Sequence, residues 1–186
     1  LVATAAKMPH IVDQLIEERA TRLMQRPLVW RLVRSLCYPL LGYRDAVRMA
    51  DTIAARPAAE IFEYLSGLLD LDVRCEGLEH VPARGLAFVT PNHPAGIADG
   101  IAVYDALGSV RRDITFFANR DAIRVAPGLA DMIVPVEWVE ARRDHARNRE
   151  TVQHMAQALR QGRLIVIFPS GRLARPTPLG LRERPW

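Results

Sequence analysis

The chain has 186 residues, of which 49% are hydrophobic and 25% charged, and its mean hydropathy is close to zero. This length and balance are typical of one globular domain with a sizeable core, and they exclude disordered and fibrous proteins. The two cysteines, Cys37 and Cys75, provide neither a disulfide scaffold nor metal-ligand spacing. We therefore expect a reducing compartment and no bound metal.

The basic residues are almost all arginines, and two segments carry the excess. Lys7 is the one lysine among 25 basic residues, and the formal net charge is +4. Residues 19–48 hold seven arginines against Asp45, and residues 142–184 hold ten against three acids. The positive electrostatic field of these segments favours binding of anionic partners, such as nucleic-acid phosphates, anionic lipid headgroups or phosphorylated substrates. Because neither a zinc finger nor an aromatic RNA-binding strand is present, we expect no nucleic acid.

Apolar residues recur at helical spacing from residue 9 to residue 70, which predicts an N-terminal helical region over residues 1–70. Its most apolar stretch, residues 28–41, is too short for a membrane span of ~18 residues. Four arginines of this helical region alternate with apolar residues over residues 22–34. They fit either a helix in a lipid interface or the solvated face of a packed helix. These arginines are Arg22, Arg26, Arg31 and Arg34, and the prolines expected to separate the helices are Pro27, Pro39 and Pro57. The three tryptophans, Trp30, Trp138 and Trp186, fit either interfacial anchors or buried aromatics.

From residue 71 onward, short apolar runs alternate with helical periodicity. A short strand is predicted around Val73 and Cys75, and buried strands at residues 86–90, 114–117, 132–136 and 164–168. Helices are predicted at residues 97–107 and 151–160, the second with Val152, Met155 and Leu159 inward and Gly162 at its end. The alternation predicts an α/β domain over residues 71–186, with a mixed, largely parallel sheet flanked by helices.

Residues 91–100 hold a histidine and an aspartate where a strand ends and a helix begins, which is where α/β sheets bind ligands. His93 suits a general base, and Asp99 could fix its tautomer. On an ideal helix the two would diverge by about 120°, so the segment from Pro94 to Gly96 must be partly unwound. Backbone N–H groups at the helix start would then suit a phosphate or an oxyanion. The alternative is a helix-capping His93 and a surface Asp99.

A second string, residues 164–172, also leads a buried strand into a turn, the sequence Phe168-Pro169-Ser170-Gly171-Arg172. Together the two strings resemble the glycerolphosphate and lysophospholipid acyltransferase family, whose motifs are a His-x4-Asp box and a Phe-Pro-Glu-Gly turn. With residues 77–85 and 180–186, they are similar to its hemolysin-like, ornithine-lipid-type branch. The sequence departs from these motifs in two places: five residues rather than four separate His93 from Asp99, and Ser170 replaces the glutamate. If that glutamate organises a pocket for glycerol phosphate in other members, its loss favours a different lysolipid acceptor.

The resemblance implies an α/β acyltransferase domain truncated at its C-terminal end, since family members continue with further strands. It implies direct transfer of a fatty acyl group from acyl-CoA or acyl carrier protein to a lysolipid hydroxyl in phospholipid or ornithine-lipid biosynthesis. His93 would be the base, Asp99 would orient it, and no cofactor is needed. A peripheral place on the cytoplasmic face of an anionic membrane follows. The substrate-binding residues would be Asn92, Gly96, Arg120, Phe168, Pro169, Ser170, Gly171, Arg172 and Arg175.

Alternatives remain for several of these residues and for the function. Arg120 could pair with Asp121 or lie on the surface, and Arg175 could be merely solvated. Ser170 lacks the glycine spacing of a nucleophile elbow. The alternative function is a non-catalytic membrane lipid-binding domain of the same fold, and a basic nucleic-acid-binding protein ranks third.

Overall fold

The computed structural model describes residues 9–182, so Lys7 and Trp186 lie outside the described residues. The described residues divide into two compact units, one containing residues 9–56 and 124–127, and the other containing residues 57–123 and 128–182. The first unit contains helices α1 Ile11–Arg19, α2 Thr21–Met24, α3 Pro27–Leu40 and α4 Tyr43–Ile53. Pro27 starts α3, where a missing N–H costs nothing, but Pro39 lies inside that helix and does not end it.

An aspartate in α1 holds the helices of the first unit together. The Asp13 carboxylate accepts hydrogen bonds from the hydroxyls of Tyr43 at 2.9 Å and Tyr38 at 3.4 Å, and from Arg34 of α3 at 3.4 Å. The two tyrosine rings stack with centroids 4.3 Å apart. Burial raises the pKa of Tyr43 to about 12, and its bond to the Asp13 carboxylate adds to the effect.

Helix α3 carries an exposed apolar stripe. Its leucines recur every fourth residue, so they share one side of the helix, and each is more than half exposed: Leu28 78%, Leu32 60%, Leu36 57% and Leu40 82%. Arg22, Arg26 and Arg31 are also exposed in this segment. Among the described helices, none is long and apolar enough to cross a membrane.

The second unit is an α/β layered domain, as the sequence predicted. Its helices are α5 Ala58–Leu69, α6 Ile97–Gly108 and α8 His145–Arg160. The short α7 Asp121–Val125 begins in this unit after the second strand, and its last two residues belong to the first unit. Strands β1 Ala87–Val89, β2 Ile114–Asn119, β3 Ile133–Val136 and β4 Leu164–Val166 form a parallel sheet in the order β1-β4-β2-β3. Strands β5 Arg175–Thr177 and β6 Gly180–Arg182 form an exposed antiparallel hairpin.

Helices cover both faces of this sheet. Phe62 of α5 stacks on Tyr104 of α6 and on Phe116 of β2, with ring centroids 4.7 and 5.1 Å apart. Thr115, which faces the other way from Phe116 in the strand, lines a cavity with Ala158 of α8. The strand residues Ile114, Val134, Leu164, Ile165 and Val166 are fully buried, as in parallel sheets covered on both sides.

Three local predictions were wrong. Residues 71–76 form no strand, because Val73 and Cys75 find no neighbouring strand to pair with. Strand β1 is not buried: it lies at the edge of the sheet, and Phe88 is 54% exposed. Helix α8 starts at His145 rather than Thr151 because the Asp144 carboxylate accepts from the Arg147 N–H, and Val152 faces outward at 58% exposure. The predicted stop at Gly162 is present, with φ +63°.

A buried arginine connects the loops at the amino ends of the strands. Arg111 is 5% exposed, and its guanidinium donates to both carboxylate oxygens of Asp113 and to the carbonyls of Pro82, Gly85 and Gly162. All five donors of the fork are therefore used. The bond to Arg111 lowers the pKa of Asp113 below its usual value.

Candidate active site

The two motif-bearing loops leave the same edge of the sheet. Strands β1 and β4 are parallel neighbours with Val89 opposite Val166, so the loops that follow them start side by side. The Ile167 N–H extends the pairing by donating to the Val89 carbonyl at 3.0 Å. This is the carboxyl edge of the sheet, where α/β proteins bind ligands.

His93 and Asp99 meet, as the sequence analysis required. The Nδ1 atom of His93 lies 3.0 Å from Oδ2 of Asp99, and their side chains are 20% and 13% exposed. The contact is possible because residues 93–96 are not helical and α6 starts only at Ile97. Gly96 has φ +83°, a left-handed conformation that glycine adopts without strain.

Backbone donors hold the Asp99 carboxylate in place. The N–H groups of Ala95 and Gly96 both donate to Oδ2, at 2.9 and 2.8 Å. These are two of the N–H groups that we expected to face a phosphate or an oxyanion, so that expectation is wrong for them. Their role in this structure is to orient Asp99, which in turn contacts His93.

The second loop contacts His93 directly. Its Phe168 ring stacks on the imidazole, with centroids 4.4 Å apart and planes inclined by 30°. Ala174 of the same loop donates its N–H to the His93 carbonyl at 3.0 Å. The side chain and the backbone of His93 are therefore held by both loops.

The Pro169-Ser170-Gly171 turn is closed by local hydrogen bonds. Gly171 donates its N–H to the Phe168 carbonyl at 2.9 Å, and the Ser170 hydroxyl donates to the Arg172 carbonyl at 2.9 Å. Ser170 is thus engaged within the turn. Gly171 has φ +56° and lies against the ring of Trp138, a contact that the sequence analysis did not anticipate.

Arg120 directly follows the carboxyl end of β2, the strand next to β4 in the sheet. Its Nη1 lies 2.7 Å from the carboxylate of Glu150 of α8, so its partner is Glu150 and not Asp121. The sequence could not indicate this pair, because its members are 30 positions apart in the chain and β3 lies between them. In the described part of the chain, the Nε and Nη2 atoms of Arg120 are buried without a hydrogen-bond partner.

The remaining predicted site residues are less enclosed. Asn92 precedes His93 and is exposed, and Arg172 is exposed at the end of the turn. Arg175 lies in β5, opposite Arg182 in the hairpin, and the structure does not bring it into contact with His93 or Asp99. Within residues 9–182, no group of three or more His, Cys, Asp or Glu side chains could hold a metal ion.

Comparison with known proteins identifies the family of the chain. A family model described as Acyltransferase matches residues 72–184. The chain belongs to the acyltransferase family, which confirms the resemblance to acyltransferases and the fold class predicted from the sequence. The hemolysin-like, ornithine-lipid-type branch stays a prediction.

Two curated relatives are more specific. The chain is 24% identical over 127 residues to a lyso-glycine lipid O-acyltransferase of Phocaeicola vulgatus, covering 68% of this chain and 44% of that protein. It is 25% identical over 128 residues to a lyso-glycine lipid O-acyltransferase of Bacteroides thetaiotaomicron, covering 68% and 45%. The match thus spans less than half the length of these relatives. No solved structure matches the chain.

Proposed function

We propose that this chain carries the O-acyltransferase site of an enzyme that moves a fatty acyl group from an acyl thioester to the hydroxyl of a lysolipid. The observation that carries the proposal is the contact of His93 with Asp99 at the carboxyl edge of the sheet. The names of the two curated relatives support a lysolipid acceptor. The thioester is that of coenzyme A or of acyl carrier protein, and no further cofactor takes part.

The chemistry is one proton transfer coupled to acyl transfer. Nε2 of His93, the ring nitrogen on the other side from Asp99, takes the proton of the acceptor hydroxyl while its oxygen attacks the thioester carbonyl carbon. The resulting tetrahedral intermediate collapses by breaking the C–S bond, and the thiolate leaves with the proton from the imidazolium. The products are an ester and a free thiol. Asp99 stabilises the imidazolium and fixes the tautomer that accepts the proton.

Arg120 is the residue that we assign to the anionic headgroup of the acceptor. Leaving the buried Nε and Nη2 donors of Arg120 unpaired costs about 1–3 kcal/mol, which an anionic ligand would offset. Because Glu150 already neutralises part of the charge, a singly charged carboxylate suits this position better than a phosphate monoester. A lyso-glycine or lyso-ornithine lipid would present such a carboxylate. Arg172, exposed at the turn, is a second candidate contact.

The protein attaches peripherally to an anionic membrane surface through α3. The exposed leucines of α3 would enter the apolar layer, while Arg22, Arg26 and Arg31 reach lipid phosphates. This placement would give the enzyme access to a lipid acceptor within the bilayer surface.

The experiment that tests the function is acyl transfer with a panel of acceptors. Wild-type protein is incubated with palmitoyl-CoA or palmitoyl-acyl carrier protein and with lyso-glycine lipid, lyso-ornithine lipid or lysophosphatidate, and the products are identified by mass spectrometry. We expect an O-acylated product with a carboxylate-bearing acceptor. Binding of acceptors without any product from either donor would instead favour the non-catalytic lipid-binding function.

A further inference from the structure

A tryptophan from a third strand packs on the turn of the second motif. A Cβ atom on Gly171 would lie 2.8 Å from Cη2 and from Cζ3 of Trp138, so the six-membered ring of the indole lies directly against the turn backbone. Real side chains do not approach this closely, and residue 171 must be a glycine while the indole stays there. The contact gives a reason for the glycine in this motif besides its φ of +56°.

The position of Trp138 in the sheet places it at the edge that carries the motifs. It follows β3, and in the sheet order β1-β4-β2-β3 the strand β2 lies between β3 and β4. The contact therefore joins the segment after β3 to the turn after β4, two strands that are not neighbours in the sheet. Phe168, which starts the same turn, stacks on His93.

Trp138 is 38% exposed in the described structure. Covering the exposed part of its indole with an apolar group would be favourable, because the ring offers a large apolar area. We propose that the exposed side of the Trp138 indole is the wall on which a hydrocarbon chain of the substrates lies beside the reacting carbonyl. The chain is either the acyl chain of the donor or that of the lysolipid, since both are methylene chains. The inference rests on the proposed acyl transfer and adds a residue that determines chain preference.

The test compares chain-length preference in Trp138→Phe with wild type. One series varies the donor from butyryl to palmitoyl thioester with a fixed acceptor, and a second series varies the acceptor chain with a fixed donor. Each methylene that leaves water contributes about fourfold to kcat/KM. Trp138→Phe should reduce the preference for the long chain about tenfold in one of the two series, which identifies the chain that the indole contacts. Val139→Ala, a neighbouring half-exposed apolar residue, should leave both series unchanged.

A structural role alone gives a different result. If Trp138 only supports the turn, Trp138→Phe lowers kcat/KM by the same factor for short and long chains in both series, and the proposal is overturned.

Tryptophan fluorescence gives a readout that does not need turnover. Adding palmitoyl-CoA or the lysolipid to His93→Ala should shift the emission to shorter wavelength as a chain covers the indole. The shift should persist when Trp30→Phe is added and disappear when Trp138→Phe is added. Absence of any shift in His93→Ala with both ligands overturns the proposal. If the emission of the wild-type protein shifts but the protein transfers no acyl group, the proposed function is overturned, while Trp138 is still a contact for a hydrocarbon chain.

Discussion

His93 and Phe168 stack with ring centroids 4.4 Å apart, although they follow different strands and are 75 residues apart in the chain. This contact joins the two motifs into one site, because Asp99 holds the same imidazole at its Nδ1. The imidazole is thus fixed by a carboxylate at its edge and by an aromatic ring on its face.

Phe168→Leu should lower kcat by roughly tenfold to 100-fold with little change in the free energy of unfolding, because a base displaced by about an ångström works poorly. Steady-state kinetics and urea unfolding measure the two effects. Phe88→Leu is the control, since Phe88 is a half-exposed phenylalanine on β1. Equal kcat values for Phe168→Leu and wild type would show that the stacking has no part in positioning His93.

Asp99→Asn should lower kcat about 100-fold or more, because a neutral amide stabilises the imidazolium poorly. The amide oxygen can still accept from Ala95 and Gly96, so the loop should stay folded. Asp105→Asn on the same helix is the matched control, because its carboxylate accepts a hydrogen bond from the Ser66 hydroxyl of α5 at 2.9 Å. Full activity in Asp99→Asn would remove Asp99 from the mechanism.

Arg120→Lys should raise KM for the lysolipid about tenfold while changing kcat less, because an ammonium cannot reproduce the planar fork of donors. The KM for the acyl donor should stay the same. Arg112→Lys, which alters an exposed arginine paired with Glu63, serves as the control. A rise in the donor KM alone would reassign Arg120 to the thioester substrate.

Arg111→Lys should lower the free energy of unfolding by about 2 kcal/mol, because a lysine cannot serve all the acceptors that the guanidinium serves. Urea titration near neutral pH measures the loss. Arg160→Lys, at the exposed end of α8, should change the free energy by less than about 0.5 kcal/mol. If both variants unfold at the same urea concentration, the hydrogen bonds of the Arg111 guanidinium contribute no stability.

The ion pair between Arg111 and Asp113 predicts that the free energy of unfolding falls at acid pH. Since Arg111 lowers the pKa of Asp113 in the folded protein, the stabilisation is complete above the unfolded pKa of 3.8 and is lost as the pH falls through the lower folded value. Asp113→Asn should be less stable than wild type near neutral pH, and the difference should shrink below pH 3.8. At pH 2 the carboxyl of an ordinary aspartate, with a pKa of about 3.9, is protonated. A difference in stability that stays constant down to that pH would contradict the prediction.

Replacing Leu32 and Leu36 together by aspartate should reduce binding to anionic vesicles about tenfold or more, because two exposed leucines of the α3 stripe then resist burial in lipid. Co-sedimentation with the vesicles measures the bound fraction of each variant. Leu68→Asp on α5, a leucine of similar exposure, should bind as wild type does. Unchanged sedimentation of the double variant would exclude α3 as the membrane contact.

The sequence predicted the parallel sheet and the meeting of His93 with Asp99 because both follow from local signals. Apolar runs bounded by prolines and glycines marked the strands, and Pro94 and Gly96 marked the unwound segment between the two residues. The failed strand around Val73 shows the limit of this reasoning, because alternation cannot tell whether a partner strand is present.

The contacts that complete the site were beyond prediction. Glu150 of α8 pairs with Arg120 after β2, and Trp138 after β3 contacts Gly171 after β4, so each pair depends on how the elements are arranged around the sheet. Spacing along the chain carries no signal for such pairs. A glycine in the turn and a tryptophan after β3 were visible separately, but only the structure joins them.

The measurement that tests the central claim most directly is the rate of free-thiol release from palmitoyl-CoA and palmitoyl-acyl carrier protein in the presence of a lysolipid, for wild type and His93→Ala. Loss of a general base predicts a fall of about 100-fold to 10,000-fold. His80→Ala, an exposed histidine beside Glu79, should keep the wild-type rate. Thiol release that is equally fast in wild type and in folded His93→Ala would contradict the account.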